Sequence, residues 1–268
     1  MNTLAMILKD NWKWRKQIAR TAIADLVKQT RGAVLGWAWL FIRPLVFIAV
    51  FWFALQVGLR VGREMDPPYF LWLVAGLIPW FFMQEMLGAG SSVFKRYSKL
   101  MDKTELPVNT LPTVFTLLTL LVHIGMLVVL LVMYLFMGMQ MDIYLLQVFI
   151  IMPLMFAFFA MNSLLTSLLS AISKDFANMV RAVITPVFWL SGIIFDVSKL
   201  QLVWMKNILL FNPVTFFVGA YRDTFYYKSW IWENPLSLVA FGLVFLGTLI
   251  CLLVFYTRLS KRLGDVKQ

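Results

Sequence analysis

The sequence predicts an all-α polytopic membrane protein, and three observations predict it. The 268-residue chain is 61% hydrophobic and only 14% charged, whereas soluble domains carry about 25% charged residues. Mean hydropathy is +0.81, and the apolar residues fall in long runs, each near the roughly 20 residues a helix needs to cross a bilayer. No alternation of apolar and polar residues recurs in segments of about ten, as a membrane barrel would require. With no internal repeat and no low-complexity linker, residues 1–268 read as one transmembrane domain.

Residues 1–31 come first and are mixed in character. On a helix, Ile18, Ala19, Ala22, Ile23 and Leu26 share one face, and Gln17, Arg20, Thr21, Asp25 and Lys28 take the other. Trp12 and Trp14 lie just upstream among Lys and Arg. This is the pattern of an amphipathic helix in the membrane interface; a solvated helix packed on a partner is the alternative. The charges at Lys9, Asp10, Lys13, Arg15, Lys16 and Arg20, with no apolar core and cleavage site, argue against a signal peptide.

Six spans are expected next, at about residues 33–59, 69–87, 111–139, 143–172, 176–195 and 235–257. Several exceed the minimum length, so tilt or extension into the headgroups is expected. Lys and Arg collect on the cytoplasmic side of spans. Residues 1–43, 93–112, 173–181 and the tail from Arg258 together hold 18 of them, against six in the other connections. That split places both termini in the cytoplasm. It also gives the net charge of +11 a topological reading, with no need for nucleic acid as a partner.

The connection between spans two and three, residues 93–112, reads VFKRYSKLMDKTELPVNTLP. By the same count it is intracellular. Residues 93–100 have helix-compatible spacing, and Leu106-Pro107 and Leu111-Pro112 redirect the chain. A short helix held rigidly between two spans can transmit a partner's motion to them; a plain solvated connector is the alternative. Residues 198–230 lie outside by this topology, yet they are apolar and aromatic. Residues 200–210 and 213–227 each look helical and are too short to span. Asn212-Pro213 separates them, because proline disfavours helix in the residue before it. A re-entrant helical hairpin fits, since irregular backbone at membrane depth must be sheltered by protein.

Few residues suggest enzyme chemistry. His123 is the one histidine, and a zinc site needs three or four ligands, so no metal is expected. Cys251 is the one cysteine and supports no disulfide. Glu85, near the cytoplasmic end of span two, is an intramembrane ionisable group and so a functional candidate, or a residue that reaches the interface. The chain lacks the G-x-x-x-x-G-K-[ST] phosphate-binding loop, so ATP and Mg would belong to another chain. Arg43 lies some way along the first apolar run, where a planar guanidinium would suit a lipid diphosphate. Alternatively it sits at the headgroups, with Trp37 and Trp39 in an aromatic belt. Aromatic residues make up 16% of the chain; their rings suit sugar faces as well as membrane interfaces.

Four stretches in order carry a family resemblance: ADLVKQTRGAVLGWAWLFIRPL at 24–45, AGLIPWFFMQEML at 75–87, KRYSKLMDKTELPVNTLP at 95–112 and FNPVTFFVGAYRD at 211–223. The chain resembles the membrane (permease) subunit of bacterial ABC exporters of polysaccharides, the group handling O-antigens, capsules, teichoic acids and rhamnan wall polymers. Arg43 departs from the pattern, which leads one to expect a neutral polar residue there.

The resemblance implies a homodimer with two copies of a separate ABC ATPase subunit, in the bacterial cytoplasmic (inner) membrane. Residues 93–107 would be the coupling segment seated on the ATPase, with Lys95, Arg96, Tyr97, Lys99, Asp102, Lys103 and Glu105 as its contacts. The outer hairpin would shape the exit, and the first and fifth spans would line the conduit. The expected substrate is a polysaccharide linked to undecaprenyl diphosphate. Lys28, Arg31 and Arg43 are its candidate diphosphate contacts, and Trp37, Trp39, Phe188, Trp189 and Tyr221 its candidate glycan path. An ABC exporter of a drug or small lipid is one rival. A membrane scaffold for enzymes of polyprenyl-linked glycans is another, although no acid cluster near the interface supports it. A secondary transporter would want buried ionisable groups and inverted repeats, and neither is visible.

Overall fold

The computed structural model describes residues 3–32, 34–62, 65, 68–101 and 104–265, with side chains as far as residue 259. Its regular elements are helices, with no strand among the described residues. Among the described residues, five helical stretches are long and apolar enough to cross a membrane: Gly36–Gly58, Tyr69–Arg96, Val108–Phe136, Ile143–Ile172 and Pro235–Leu259.

The N-terminal region is two helices, α1 (Thr3–Lys13) and α2 (Arg15–Thr30), rather than one. The break falls at Trp14. Ile18, Ala22 and Leu26 are buried and α2 packs on α7 (Leu111–Phe136), while Ile23 and Trp12 stay exposed. The apolar face expected for the interface is thus shared between the helical body and the surroundings.

The first span is α3 (Trp39–Trp52), entered by a 3-10 turn and continued by a π-helical turn, Phe53–Gly58. Pro44 lies inside α3 and has no N–H to give the Leu40 carbonyl. The second span is α4 (Tyr69–Gly88). It is the hub of the bundle, with 72% of its apolar window buried against 6% for the first span and 17% for the last. α4 packs on α3, α7, α8 (Val148–Ile172), α9 (Lys174–Leu190) and α11 (Pro213–Arg222).

The charged connection differs from a single helix over 93–100. A 3-10 turn, Ala89–Ser92, leads from α4 into one-turn helices α5 (Val93–Arg96) and α6 (Ser98–Met101). Asp102 and Lys103 lie outside the described residues. The third helix ends at Phe136, three residues short of expectation, because Gly138 turns the chain with φ +74°. Lys174–Leu190 also stops early, five residues before Phe195. The chain turns there through Ser191 and Gly192, the latter at φ +71°. Ser173 caps its start, accepting from the Phe176 N–H at 3.3 Å.

Residues 203–227 form the bent pair α10 (Val203–Leu210) and α11, the latter extended by a π-helical turn, Asp223–Tyr227. The two arms meet at 90°. Asn212 makes the corner: its side chain accepts from the Val214 N–H at 2.9 Å, capping a helix that opens on Pro213. The last helix, α12 (Pro235–Asp265), runs past the expected end.

Between α4, α8, α11 and α12 lies an aromatic cluster. Phe216 stacks on Phe241 at 4.2 Å, and Phe158 meets Phe159 edge-on at 5.2 Å. Lipid tails are as apolar as these rings, so close packing rather than water exclusion holds such helices together. Each good aromatic pair contributes about 0.5–1.5 kcal/mol.

Candidate functional site

Three places combine polar chemistry with fixed geometry. The first is the charged connection after α4. Val93, Phe94 and Tyr97 are buried, whereas Lys95, Arg96, Ser98, Lys99 and Glu105 are exposed. The side chains of Arg96 and Tyr97 nevertheless both reach α2. The Arg96 guanidinium meets Asp25 Oδ2 at 3.1 Å and the Tyr97 hydroxyl donates to the same oxygen at 2.8 Å. Arg96 also lies over the Phe115 ring, 5.0 Å from its centroid. Burial, and then the Asp25 charge, push the Tyr97 phenol above its ordinary pKa, so it stays a neutral donor. A second tie holds α1: Asn109 donates to Asp10 Oδ2 at 2.8 Å. The exposed cations are therefore mounted on a turn that is fastened from behind.

The second place is a cavity of about 470 Å³ between α3, α4 and α7, lined also by Gln29 of α2. Gln29, Arg43, Gln84 and Glu85 supply its polar lining towards the charged connection, and His123 lies midway along α7. Phe47, Ile78, Phe82, Val122 and Met126 are among its apolar walls. The Arg43 guanidinium lies 5.9 Å from the Trp39 ring centroid. His123 Nε2 and the Tyr221 hydroxyl are 2.5 Å apart, joining the cavity wall to α11.

The third is the socket of Arg222, which is 5% exposed. Its Nε, Nη1 and Nη2 donate to the carbonyls of Trp72, Gly192 and Ile193 at 3.3, 2.6 and 2.5 Å. The guanidinium carbon sits 3.3 Å from the Trp72 ring centroid. Asn212 and Thr215 donate to Ser191, at 2.7 and 3.1 Å. The bent pair is thereby pinned to the turn after α9. A Cβ on Gly76 would lie 2.6 Å from Arg222 Nη2, so Gly76 makes room for the socket.

Of the residues expected to meet substrate, Arg43 lines the cavity, while Lys28 and Arg31 are exposed and are not among its lining residues. Trp37 and Trp39 are exposed, as is Trp189. Phe188 is buried, edge-on to Phe51 at 5.4 Å, and Tyr221 is fully buried on His123. These five rings do not form one surface within the chain. Sequence reasoning missed Asp25 as the partner of the charged turn, Gln29 and Gln84 in the cavity, and the whole Arg222 socket. The Gly76 and Tyr221-Arg222 motifs were visible, but nothing in them says which carbonyls the guanidinium meets. No three His, Cys, Asp or Glu side chains gather as metal ligands among the described residues.

A bundle of apolar helices with a braced, cation-bearing turn and a pinned helical corner defines a polytopic helical membrane protein. The ABC-2 type transporter family matches residues 16–226, and the chain belongs to that family as a membrane permease. It is 24% identical over 240 residues to an O-antigen export system permease protein RfbA of Myxococcus xanthus, covering 87% of this chain and 89% of that one. A Klebsiella pneumoniae protein of the same name is 24% identical over 250 residues, covering 90% and 91%.

Proposed function

We propose that this permease is the channel-forming subunit of an ATP-driven exporter. It moves an undecaprenyl-diphosphate-linked polysaccharide from the cytoplasmic to the outer side of the bacterial inner membrane. The names of its relatives support the cargo class. The lack of a phosphate-binding loop in this sequence supports a separate ATPase. In this reading two copies of the permease join two ATPase subunits that carry ATP and Mg. Both termini and the charged turn are cytoplasmic, in line with the Lys/Arg asymmetry. Lys28, Arg31 and Arg43 attract the diphosphate, and the polymer passes between protomers.

The observation that carries the coupling role is the division of labour in the charged turn. Lys95 and Lys99 face outward, while Arg96 and Tyr97 hold Asp25. A push on the turn then moves α2 together with α4 and α7. The test is a mild-detergent pull-down from native membranes with an ATPase assay. A stoichiometric partner bearing a phosphate-binding loop is expected. Its capture should weaken when Lys95 and Lys99 are both changed to Glu, and polymer should accumulate inside deletion cells. Recovery of the chain with glycosyltransferases and no ATPase would favour the scaffold reading, and export of a small lipid without polymer accumulation the other rival.

A further inference from the structure

The cavity between α3, α4 and α7 is lined by two side chains of opposite charge. Arg43 and Glu85 both line it. Among the described residues the ion pairs are Arg96–Asp25 and Lys228–Asp142, so neither Arg43 nor Glu85 is in one. Neither makes a side-chain hydrogen bond to a described residue. Both residues are exposed; Arg43 lies near the Trp39 ring and Glu85 feels the Arg96 charge, so the guanidinium and the carboxylate each keep free hydrogen-bonding capacity. Two such charges of opposite sign facing one space suit an occupant with both an anionic and a cationic group.

The rest of the lining supports a lipid. Glu85 lies one turn before the end of α4, and Gln29 and Gln84 join it at that same end of the cavity. From there the walls become apolar through Ile78, Phe82, Val122 and Met126. At 1.5 Å per residue, the lining residues of α7, from Leu118 to Met126, extend about 12 Å, long enough for part of an acyl chain. His123 Nδ1, beside the Ile78 backbone, has no hydrogen-bond partner of good geometry. A volume near 470 Å³ lies within the usual range for small-molecule sites.

We infer that, in the permease without its lipid-linked substrate, this cavity binds one phospholipid with a phosphoethanolamine headgroup, its phosphate on Arg43 and its ammonium on Glu85. A planar guanidinium suits a phosphate. The carboxylate opposite selects a lipid that also brings an amine and disfavours a purely anionic one. The inference rests on the reading of this cavity as a lipid-facing part of an export permease. It needs neither the ATPase nor the polysaccharide to be correct.

The experiment is native mass spectrometry of the full chain in mild detergent. The protein is delipidated, then titrated with phosphatidylethanolamine or phosphatidylglycerol of matched chains. One phosphatidylethanolamine per chain is expected, with a preference of about tenfold, the scale of one charge-assisted hydrogen bond. Glu85→Gln should abolish the preference while lipid still binds, Arg43→Gln should weaken both lipids, and Glu85→Asp should restore selectivity in a chain of unchanged elution volume. Equal binding of the two lipids by the unmodified chain overturns the proposal. So does selectivity that survives Glu85→Gln, binding of neither lipid, or recovery of a polyprenyl diphosphate in place of the phospholipid. Each readout is independent of export, so loss of transport with lipid selectivity intact would count against the exporter reading alone.

Discussion

The hydroxyl of Tyr97 donates to Asp25 Oδ2 at 2.8 Å, across 72 residues of chain. The neighbouring Arg96 reaches the same oxygen at 3.1 Å. One carboxylate on α2 thus gathers the turn that ends the second span. Asp25→Ala is expected to lower stability in detergent by about 1 kcal/mol, since the site is part-exposed and such pairs are screened. It should also lower export per ATP hydrolysed. Tyr97→Phe separates the two contacts: it removes the charge-assisted hydrogen bond to the carboxylate, worth about 1 kcal/mol at this part-exposed site, and leaves the ion pair. Thermal unfolding and coupled ATPase–export assays check both. Full coupling in Asp25→Ala at normal expression would refute the brace.

Gly76 and Arg222 form a matched pair. Gly76→Ala places a methyl group 2.6 Å from the guanidinium, and overpacking of this kind costs about 1–3 kcal/mol. Arg222→Lys keeps the charge but loses the planar fork, leaving buried carbonyls of Trp72, Gly192 and Ile193 short of donors. A loss of about 2 kcal/mol or more is expected. Both appear as lower unfolding temperature and lower yield of the monodisperse protein.

Tyr221→Phe strands His123 Nε2 inside the bundle, and a buried unpartnered polar atom costs about 1–3 kcal/mol. Replacing both partners by apolar groups removes that penalty. The double variant Tyr221→Phe/His123→Leu should therefore be more stable than Tyr221→Phe alone. Additive losses in the double variant would show that the pair contributes by packing.

Acid stability should depend on Asp196. Burial alone would raise its carboxyl pKa, but the side chain and N–H of Ser198, the Tyr227 hydroxyl and Lys199 outweigh burial and hold it below the ordinary 3.8. A carboxyl depressed on folding contributes stability above its unfolded pKa and loses it as pH falls through the lower, folded value. Unfolding temperature should drop on acidification below about pH 4. The drop should be smaller in Asp196→Asn, which starts less stable at neutral pH. Parallel acid profiles for the two proteins would exclude this assignment.

Much of this architecture was legible in the sequence because lipid imposes one rule on all spanning segments: backbone polar groups must be satisfied within the segment. Apolar run lengths therefore announced the long helices, and Asn212-Pro213 announced the corner, since proline has no N–H and the asparagine side chain supplies a cap. The four motifs in order also announced the family. Ends were less legible. The helix expected to reach Phe195 stops at Leu190, because glycine at positive φ, not hydropathy, ends it.

What only the tertiary structure decided is which charges find partners within the chain. Lys95, Arg96 and Lys99 are alike in sequence, yet Arg96 spends its charge on Asp25. The sequence likewise placed Arg43 and Glu85 in separate spans with no sign that one cavity holds both. It gave no hint that Arg222 would find three carbonyls from two distant segments. Periodicity reports which face of a helix is apolar. It carries no information about which residue of another helix stands opposite, because that is set by how the helices cross and pack.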